Sequence, residues 1–215
     1  MFSWIKKKAQ EYWSSLASDE PEDQQDTLIG TAPWDIGRPQ PAFISLATSQ
    51  QIRDPVLDVG CGTGENVLYI AGLGFDVTGV DSARAAIETA REKAKRRNVR
   101  ANFRVVDALD LACLGTTFET VIDSGLFHVF TDEERSRFVV SLAAILRPGG
   151  SYFMLCFSDQ ETREGPRRIS QAEIRDTFQR GWTIRYIHAA AFESSIHEGG
   201  AKAWLAAIIR TSPGA

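Results

Sequence analysis

The sequence DPVLDVGCGTGENVLYIAG, residues 54–72, decides the fold of this 215-residue chain. A short apolar run over residues 56–59 ends on a Gly-x-Gly-x-Gly loop, residues 60–64, and a segment with helical apolar spacing follows directly. This succession predicts a buried strand, a tight turn and a helix. In open α/β sheets, ligands bind at the carboxyl ends of strands, so the loop is predicted to belong to a nucleotide-binding site.

Strands and helices alternate from residue 54 onward, which predicts a mostly parallel sheet covered by helices on both faces. The predicted helices include residues 65–72, 83–97 and 131–146. A further helix is capped by Ser170, with Glu173 as its capping-box partner. The predicted strands are 56–60, 75–81, 101–106, 117–124, 151–157, 183–192 and 203–210.

The first 50 residues depart from this alternation and are predicted to form a helical extension or lid. Residues 2–16 carry apolar side chains at helical spacing, which predicts an amphipathic helix that either packs on its own domain or lies on a membrane surface. An acidic loop follows over residues 18–30, and a Pro-rich stretch then leads into a helix that ends near residue 50. Residues 51–215 are predicted to form a single ligand-binding domain.

The overall charge and the cysteines limit the class of protein. Lys and Arg number 24 and Asp and Glu 28, so the net charge of -4 gives no electrostatic reason to expect a nucleic-acid partner. No run of 18 apolar residues is present, which predicts no membrane span. The three cysteines lie far apart without metal-ligand spacing, so we expect a cytoplasmic protein without a bound metal.

Two carboxylates, Asp58 and Glu65, flank the glycine loop and argue against a ligand that carries phosphates. A dinucleotide-binding loop needs glycine at the position of Glu65, and the Gly-Lys-Ser/Thr of a phosphate-binding P-loop is missing. Each carboxylate would repel a pyrophosphate at short range, which disfavours a nicotinamide-dependent dehydrogenase. S-adenosylmethionine carries an ammonium and a sulfonium but no phosphate. Asp58 is expected to face that ammonium, directly or through water.

Two further carboxylates follow the next two predicted strands. Asp81 is placed to accept hydrogen bonds from both ribose hydroxyls, and Asp107 from an adenine amino group while a following backbone N–H meets a ring nitrogen. The alternative for Asp58 or Asp107 taken singly is a carboxylate that caps a turn or a helix. The predicted cofactor-binding residues at the strand ends are Asp58, Gly60, Cys61, Gly62, Asp81, Ser82, Asp107, Ala108 and Asp123.

Four motifs together resemble those of the class I S-adenosylmethionine-dependent methyltransferases. They are VLDVGCGTGENVLYIA, VTGVDSA, VVDALDL and LRPGG, and they span roughly residues 54–157. The resemblance implies a Rossmann-like, doubly wound α/β sheet of seven strands, mostly parallel with an antiparallel last strand. It also implies that S-adenosylmethionine is the cofactor of an enzyme.

The N-terminal stretch APWDIGRPQPAF, residues 32–43, carries a narrower resemblance. It is similar to the Trp-Asp-x-Gly-Arg segment of the thiopurine and plant halide/thiol methyltransferases, and of bacterial enzymes that methylate heterocyclic toxins and quinone-like phenols. The resemblance implies that this segment covers the cofactor, with Trp34 or Arg38 near the methionine carboxylate. The alternative is a Pro-rich loop that packs its tryptophan.

The fourth strand leads into a segment expected beside the methyl group of the cofactor. Asp123 and Ser124 lie at the carboxyl end of this strand, and Phe127 and His128 follow it as predicted substrate-binding residues. His128 has an ordinary pKa suited to general-base catalysis near neutral pH, and it is the one catalytic candidate. The alternatives are a histidine bonded to backbone at a helix start and a phenylalanine that belongs to the core.

The predicted acceptor is a small molecule methylated at sulfur, oxygen or nitrogen: a thiol, a phenol or quinol, or an N-heterocycle. A nucleic-acid methyltransferase is the enzymatic alternative, but its Asn/Asp-Pro-Pro-aromatic motif is replaced by Asp123-Ser124-Gly125-Leu126. A module that binds S-adenosylmethionine without turnover is the other alternative. The protein is expected to be a monomer or a homodimer.

Overall fold

The computed structural model describes residues 33–211, so the predicted helix of residues 2–16 and the acidic loop of residues 18–30 lie outside the described part. Two 3₁₀ turns, Ala108–Leu114 and Phe127–Val129, accompany the main elements. The helices are α1 (Pro41–Thr48), α2 (Glu65–Gly72), α3 (Arg84–Arg96), α4 (Asp132–Ile145) and α5 (Gln171–Thr177). The strands are β1 (Val56–Val59), β2 (Val77–Asp81), β3 (Asn102–Val105), β4 (Phe118–Ser124), β5 (Leu146–Phe157), β6 (Trp182–Ser194) and β7 (His197–Arg210).

The sheet has seven strands in the order β3-β2-β1-β4-β5-β7-β6. Strands β1 to β5 pair in parallel, whereas β7 runs antiparallel to both of its neighbours, β5 and β6. The predicted fold is therefore confirmed, including the antiparallel last strand. Strand order reverses between β1 and β4, and in such sheets a crevice opens at that point outside the carboxyl ends of the strands.

Two apolar layers cover the faces of the sheet. Tyr69, Phe43 and Phe153 anchor one layer, and Phe138 and Tyr152 anchor the other, all at most 1% exposed. All four residues of β1 are buried, which agrees with three of them being apolar and leaves its carboxylate, Asp58, inside the protein.

The local signals that end and begin helices act as the sequence indicates. The capping box of Ser170 and Glu173 is present at the start of α5. A second one, formed by Thr131 and Glu134, starts α4.

The stretch LRPGG was expected to end the fourth helix ahead of a strand at residue 151, but it already belongs to β5. Leu146 pairs with Phe118 across a register shift and is fully buried, which draws the strand start back to it.

Gly64, the third glycine of the loop, serves packing between elements. Its φ of +89° is left-handed, and a Cβ there would lie 2.9 Å from Phe103 Cε1 and 3.0 Å from Ala90 Cβ. Only glycine lets α2 begin this close to α3 and β3.

Candidate functional site

A cavity opens at the carboxyl ends of β1, β2 and β4, at the reversal of strand order. The cavity has a volume of about 200 Å³. Its lining residues come from a segment ahead of α1, the glycine loop, the start of α3, and the ends of β4 and β6. They are Trp34, Asp35, Ile36, Arg38, Gln40, Gly60, Cys61, Gly62, Thr63, Gly64, Glu65, Asn66, Asp81, Ala83, Ala86, Ser124 and Phe192.

Asp81 is fixed at one side of this cavity by two backbone donors. Gly62 N donates to its Oδ2 at 2.9 Å, and Ala83 N donates to its Oδ1 at 2.8 Å. Each carboxylate oxygen accepts more than one hydrogen bond, so both keep capacity for ligand hydroxyls. Gly62 has a φ of +53°, and a Cβ there would meet nothing within 4 Å, so a ligand has room to approach the loop backbone.

Asp58 lies beneath the glycine loop and is fully buried. Neither of its carboxylate oxygens has a hydrogen-bond partner within residues 33–211. Burial raises the pKa of this carboxyl well above its ordinary value, and the nearby charges of Asp123 and Asp81 raise it further. An uncompensated buried carboxylate gains from a cationic group, so the site suits a ligand that carries an ammonium. Asp58 does not line the cavity itself, and its contact with a cofactor stays a prediction.

The expected repulsion of phosphates by Glu65 is wrong. Glu65 Oε1 accepts from Lys93 Nζ at 2.8 Å, and Arg97 donates to both of its oxygens at 2.7 and 3.1 Å. Two cations from α3 and its C-terminal end therefore compensate this carboxylate. Lys93 and Arg97 lie far from Glu65 in the sequence, so local sequence patterns did not predict this pairing.

The strap, which we define as residues 33–40, forms one wall of the cavity and is tied to the tip of the β6–β7 hairpin. The side-chain amide of Gln40 donates to Glu193 O and accepts from Glu193 N, both at 2.9 Å. Arg38 forms a 2.5 Å ion pair with the Glu193 side chain, and Ser195 N donates to Pro33 O at 2.9 Å. Trp34 lines the cavity and is 55% exposed. Trp34 and Arg38 thus lie at the cavity, and their contact with a cofactor stays a prediction.

The residues predicted for the adenine end lie outside the cavity lining. Asp107 is exposed and caps the 3₁₀ turn that follows β3, where it accepts from Leu109 N at 2.9 Å. This is the capping role that the sequence left open. Ala108 begins the same turn, and Ser82 is an exposed residue just after β2. Contacts of these three residues with a cofactor stay predictions.

Asp123 is enclosed in the protein, and its neighbour Ser124 lines the cavity instead. The carboxylate of Asp123 accepts from Leu126 N at 2.7 Å, Phe127 N at 3.0 Å and Tyr152 Oη at 2.7 Å. Burial raises its pKa to about 7, against the lowering effect of these three donors. Asp123 therefore fixes the turn after β4, and the structure gives it no face toward the cavity.

His128 is 5% exposed and is bonded to backbone, as the alternative reading had it. Its Nδ1 accepts from Phe157 N at 3.4 Å, and its ring stacks on Phe157 with centroids 4.6 Å apart. Burial lowers its pKa to about 4, and the positive charges of Arg168 and Arg135 lower it further. His128 is therefore neutral near pH 7 and a weak proton acceptor.

Phe127, the other predicted substrate residue, is fully buried and packs against Phe178, with Arg135 above its ring. It belongs to the core, and Phe192 at the end of β6 provides the aromatic wall of the cavity. Phe192 and Gln40 also line the cavity, but no local motif in the sequence marks them, so neither was predicted.

Two absences hold for the described part of the chain. No helix within residues 33–211 is long and apolar enough to cross a membrane. The same residues contain no cluster of histidine, cysteine and carboxylate side chains that would hold a metal ion.

Comparison with known proteins identifies the family. A model of the methyltransferase domain matches residues 56–150. The 2-heptyl-1-hydroxyquinolin-4(1H)-one methyltransferase of Mycobacteroides abscessus is 32% identical over 196 residues, which cover 88% of this chain and 85% of that protein. A solved structure from work on the conversion of a disulfide bond into a thioacetal group during echinomycin biosynthesis is 37% identical. It covers 85% of both chains with a TM-score of 0.77.

The fold is also shared with more distant enzymes that have been solved with the cofactor bound. The glycopeptide N-methyltransferase MtfA in complex with S-adenosylmethionine is 16% identical, with a TM-score of 0.64 over 80% of this chain and 92% of that one. The identity and coverage of the hydroxyquinolone methyltransferase exceed what a shared fold alone would give. The chain therefore belongs to the class I S-adenosylmethionine-dependent methyltransferases, enzymes that take their methyl group from this cofactor.

Proposed function

We propose that this enzyme methylates a small acceptor with a planar, largely apolar body, and that it holds S-adenosylmethionine in the cavity at the ends of β1, β2 and β4. The observation that carries the proposal is the composition of that cavity. Carboxylates lie on and beneath one side, at Asp81 and Asp58, and Ser124 and Phe192 form the other side. This arrangement suits a ligand with ribose hydroxyls and an ammonium, next to an apolar acceptor.

The cofactor residues take separate roles in this proposal. Asp81 accepts from the ribose hydroxyls, the backbone of the loop from Gly60 to Gly62 contacts the methionine portion, and Asp58 compensates its ammonium through water. Arg38 lines the same cavity, close enough to share its charge between Glu193 and a ligand carboxylate. Asp107 and Ala108 would receive the adenine ring at the outer end of β3.

The acceptor would lie against a group of aromatic rings beside Ser124. Phe157 lies 4.6 Å from the ring of His128 and 5.0 Å from that of Phe192, centroid to centroid. Gly125 permits this, since a Cβ there would lie 3.1 Å from Phe192. Of these three rings, Phe192 is the one that lines the cavity, and a planar ring system would find apolar contact there. The hydroxyquinolone that one relative methylates, and the sulfur chemistry of the echinomycin neighbour, support an acceptor with a hydroxyl or sulfur nucleophile on a ring-bearing molecule.

The chemistry requires an in-line approach of the acceptor to a methyl group carried by a positively charged sulfur. Bound S-adenosylmethionine supplies both the methyl group and the leaving group. The residues of the chain orient the acceptor and exclude water. Neither titratable candidate near the acceptor end, His128 or Asp123, is placed as a strong base, since one has a pKa near 4 and the other is enclosed. We therefore propose that the acceptor reacts as an anion or as a neutral nucleophile. The enzyme then accelerates the reaction mainly by positioning the acceptor against the methyl group.

An acceptor screen with methyl-labelled cofactor tests this function. The panel contains aromatic thiols, phenols, quinols and N-hydroxy heterocycles, with DNA and RNA as further substrates. Label is expected in the small aromatic acceptors and not in nucleic acid, in keeping with the net charge of -4. Transfer to nucleic acid alone would favour the rival enzyme class. A cytoplasmic location is part of the same proposal, because the cofactor and such acceptors meet there.

A further inference from the structure

A charge network between α3 and the glycine loop has no role in the site described above. The ammonium of Lys93 lies 2.8 Å from Glu65 Oε1, 2.7 Å from Thr63 Oγ1 and 3.7 Å from Asp35 Oδ2. Lys93 itself does not line the cavity, whereas these three neighbours do. Any influence of Lys93 on a bound ligand must therefore pass through them.

The hydrogen bonds of Thr63 have a fixed direction. An ammonium only donates, so the Thr63 hydroxyl accepts from Lys93 and keeps its single proton for another partner. That partner is Asp35 Oδ2, at 2.7 Å. The threonine hydroxyl therefore links Lys93 to Asp35, accepting from the first and donating to the second.

Asp35 is the contact through which the strap meets the glycine loop. Its Oδ2 takes the proton of Thr63, and its Oδ1 accepts from Gly37 N at 3.3 Å within the strap. The opposite side of the strap is held by Glu193 of the β6–β7 hairpin. The strap is also held at the start of α2, where Gln40 N donates to Asn66 Oδ1 at 3.0 Å. Of these anchors, the one on the glycine loop depends on charge.

We propose that Lys93 is a positioning residue for the cofactor. Through its hydrogen bond to Thr63 and its ion pair with Asp35 it holds the strap against the glycine loop, and so it sets cofactor affinity and residence time without touching the cofactor. The proposal rests on the cavity being the cofactor site, as proposed above. The side chain of Lys93 is 12% exposed, so salt in solution screens this charge network less than it would screen an ion pair on the surface.

The Lys93→Met variant tests the proposal, with Lys95→Met on an exposed face of the same helix as the matched control. Arg97 keeps Glu65 compensated in the variant, so no buried charge is left unpaired and the fold should persist. We expect the Kd for S-adenosylhomocysteine to rise about tenfold, through faster dissociation, because a charge-assisted contact of the strap is lost. Lys95→Met should bind as the wild type does, and Lys93→Arg should recover part of the affinity.

Three measurements separate a positioning role from a purely structural one. Titration calorimetry and stopped-flow dissociation give the ligand effect, and thermal unfolding without ligand gives the stability. A Kd within twofold of the wild type in folded Lys93→Met protein would overturn the proposal, whatever its Tm. If Lys93→Met does not fold, the Thr63→Ser and Thr63→Val pair gives the same decision, since only serine keeps the hydroxyl.

A double variant with Asp35→Asn identifies the route. If Lys93 acts through Asp35, the double variant should bind no more weakly than Asp35→Asn alone, and fully additive losses would contradict that route. Asp81→Ala distinguishes the two proposals. An unchanged Kd in that variant would reject the cavity as the cofactor site. A weakened Kd in Asp81→Ala together with an unchanged one in Lys93→Met would reject the role of Lys93 alone.

Discussion

Replacing Asp81 by alanine should weaken cofactor binding far more than it weakens the fold. In the proposed complex the carboxylate accepts two charge-assisted hydrogen bonds from ribose hydroxyls, each worth about 1.5–3 kcal/mol. Their joint loss of about 3–6 kcal/mol corresponds to roughly a 10²- to 10⁴-fold increase in Kd. The carboxylate also holds Gly62 N and Ala83 N, at 2.9 and 2.8 Å. Water replaces those two contacts at this partly exposed site, so the unfolding free energy should fall by only about 1–2 kcal/mol.

Calorimetric titration with S-adenosylhomocysteine measures the first effect, and urea unfolding measures the second. Asp176→Ala on α5, which removes an exposed carboxylate remote from the cavity, is the matched control and should leave both quantities unchanged. NAD should bind neither the wild type nor the variants appreciably. An unchanged Kd in folded Asp81→Ala protein would refute the reasoning and remove this residue from the site.

Three further perturbations follow from the same structure. Gly64→Ala should cost about 2–5 kcal/mol of stability, because a left-handed φ and a clash with Phe103 add together. The control Gly115→Ala, also at positive φ but with nothing within 4 Å of its Cβ, should cost only about 1–2 kcal/mol in the same urea titration. The lowered pKa of His128, about 4 when folded against 6.5, means that the unfolded chain binds the proton first as pH falls. The raised pKa values of Asp123 and Asp58 act in the opposite direction, so the contribution of His128 is measured as the difference between the wild type and His128→Gln. Relative to His128→Gln, the stability of the wild type should drop between pH 6.5 and 4 by up to about 3 kcal/mol, and an equal pH dependence of the two proteins would contradict this origin. Deleting residues 1–30 should leave cofactor affinity intact, because the lining residues identified in the described part begin at residue 34, but should slow methylation at least about tenfold by admitting water. Full activity of the truncated protein on a confirmed acceptor would contradict the expected lid.

The alternating core of the fold could be predicted because its signals are local. The strand before the glycine loop, the helix after it and the capping box at Ser170 each occupy a few consecutive residues, and each appears where the sequence indicates it. The antiparallel last strand was predicted from the family resemblance, because the spacing of the strands along the sequence does not determine where β7 lies in the sheet. The start of β5 was missed because its pairing with β4 outweighs the turn signal of Pro148 and Gly149.

The functional site was predicted less well than the fold, because the charge and burial of its side chains depend on residues that are distant in the sequence. Glu65 was read as a free charge, yet its cations are 28 and 32 residues away. The general-base candidate, His128, is neutralised by burial and by two arginines that no sequence window connects to it. Asp81 is the counter-example: as a carboxylate at the tip of a strand beside the glycine loop, it is positioned by the very motif that predicts it.

The pairing between Gln40 and Glu193 has a consequence for how the enzyme is made. These residues are separated by 153 positions in the chain, and their two hydrogen bonds fix the wall of the cavity. A ribosome delivers the glycine loop well before the hairpin that anchors the strap. A nascent chain that stops short of β6 would therefore contain the complete loop without the anchored wall. The wall of the cavity is completed only after this hairpin has left the ribosomal tunnel.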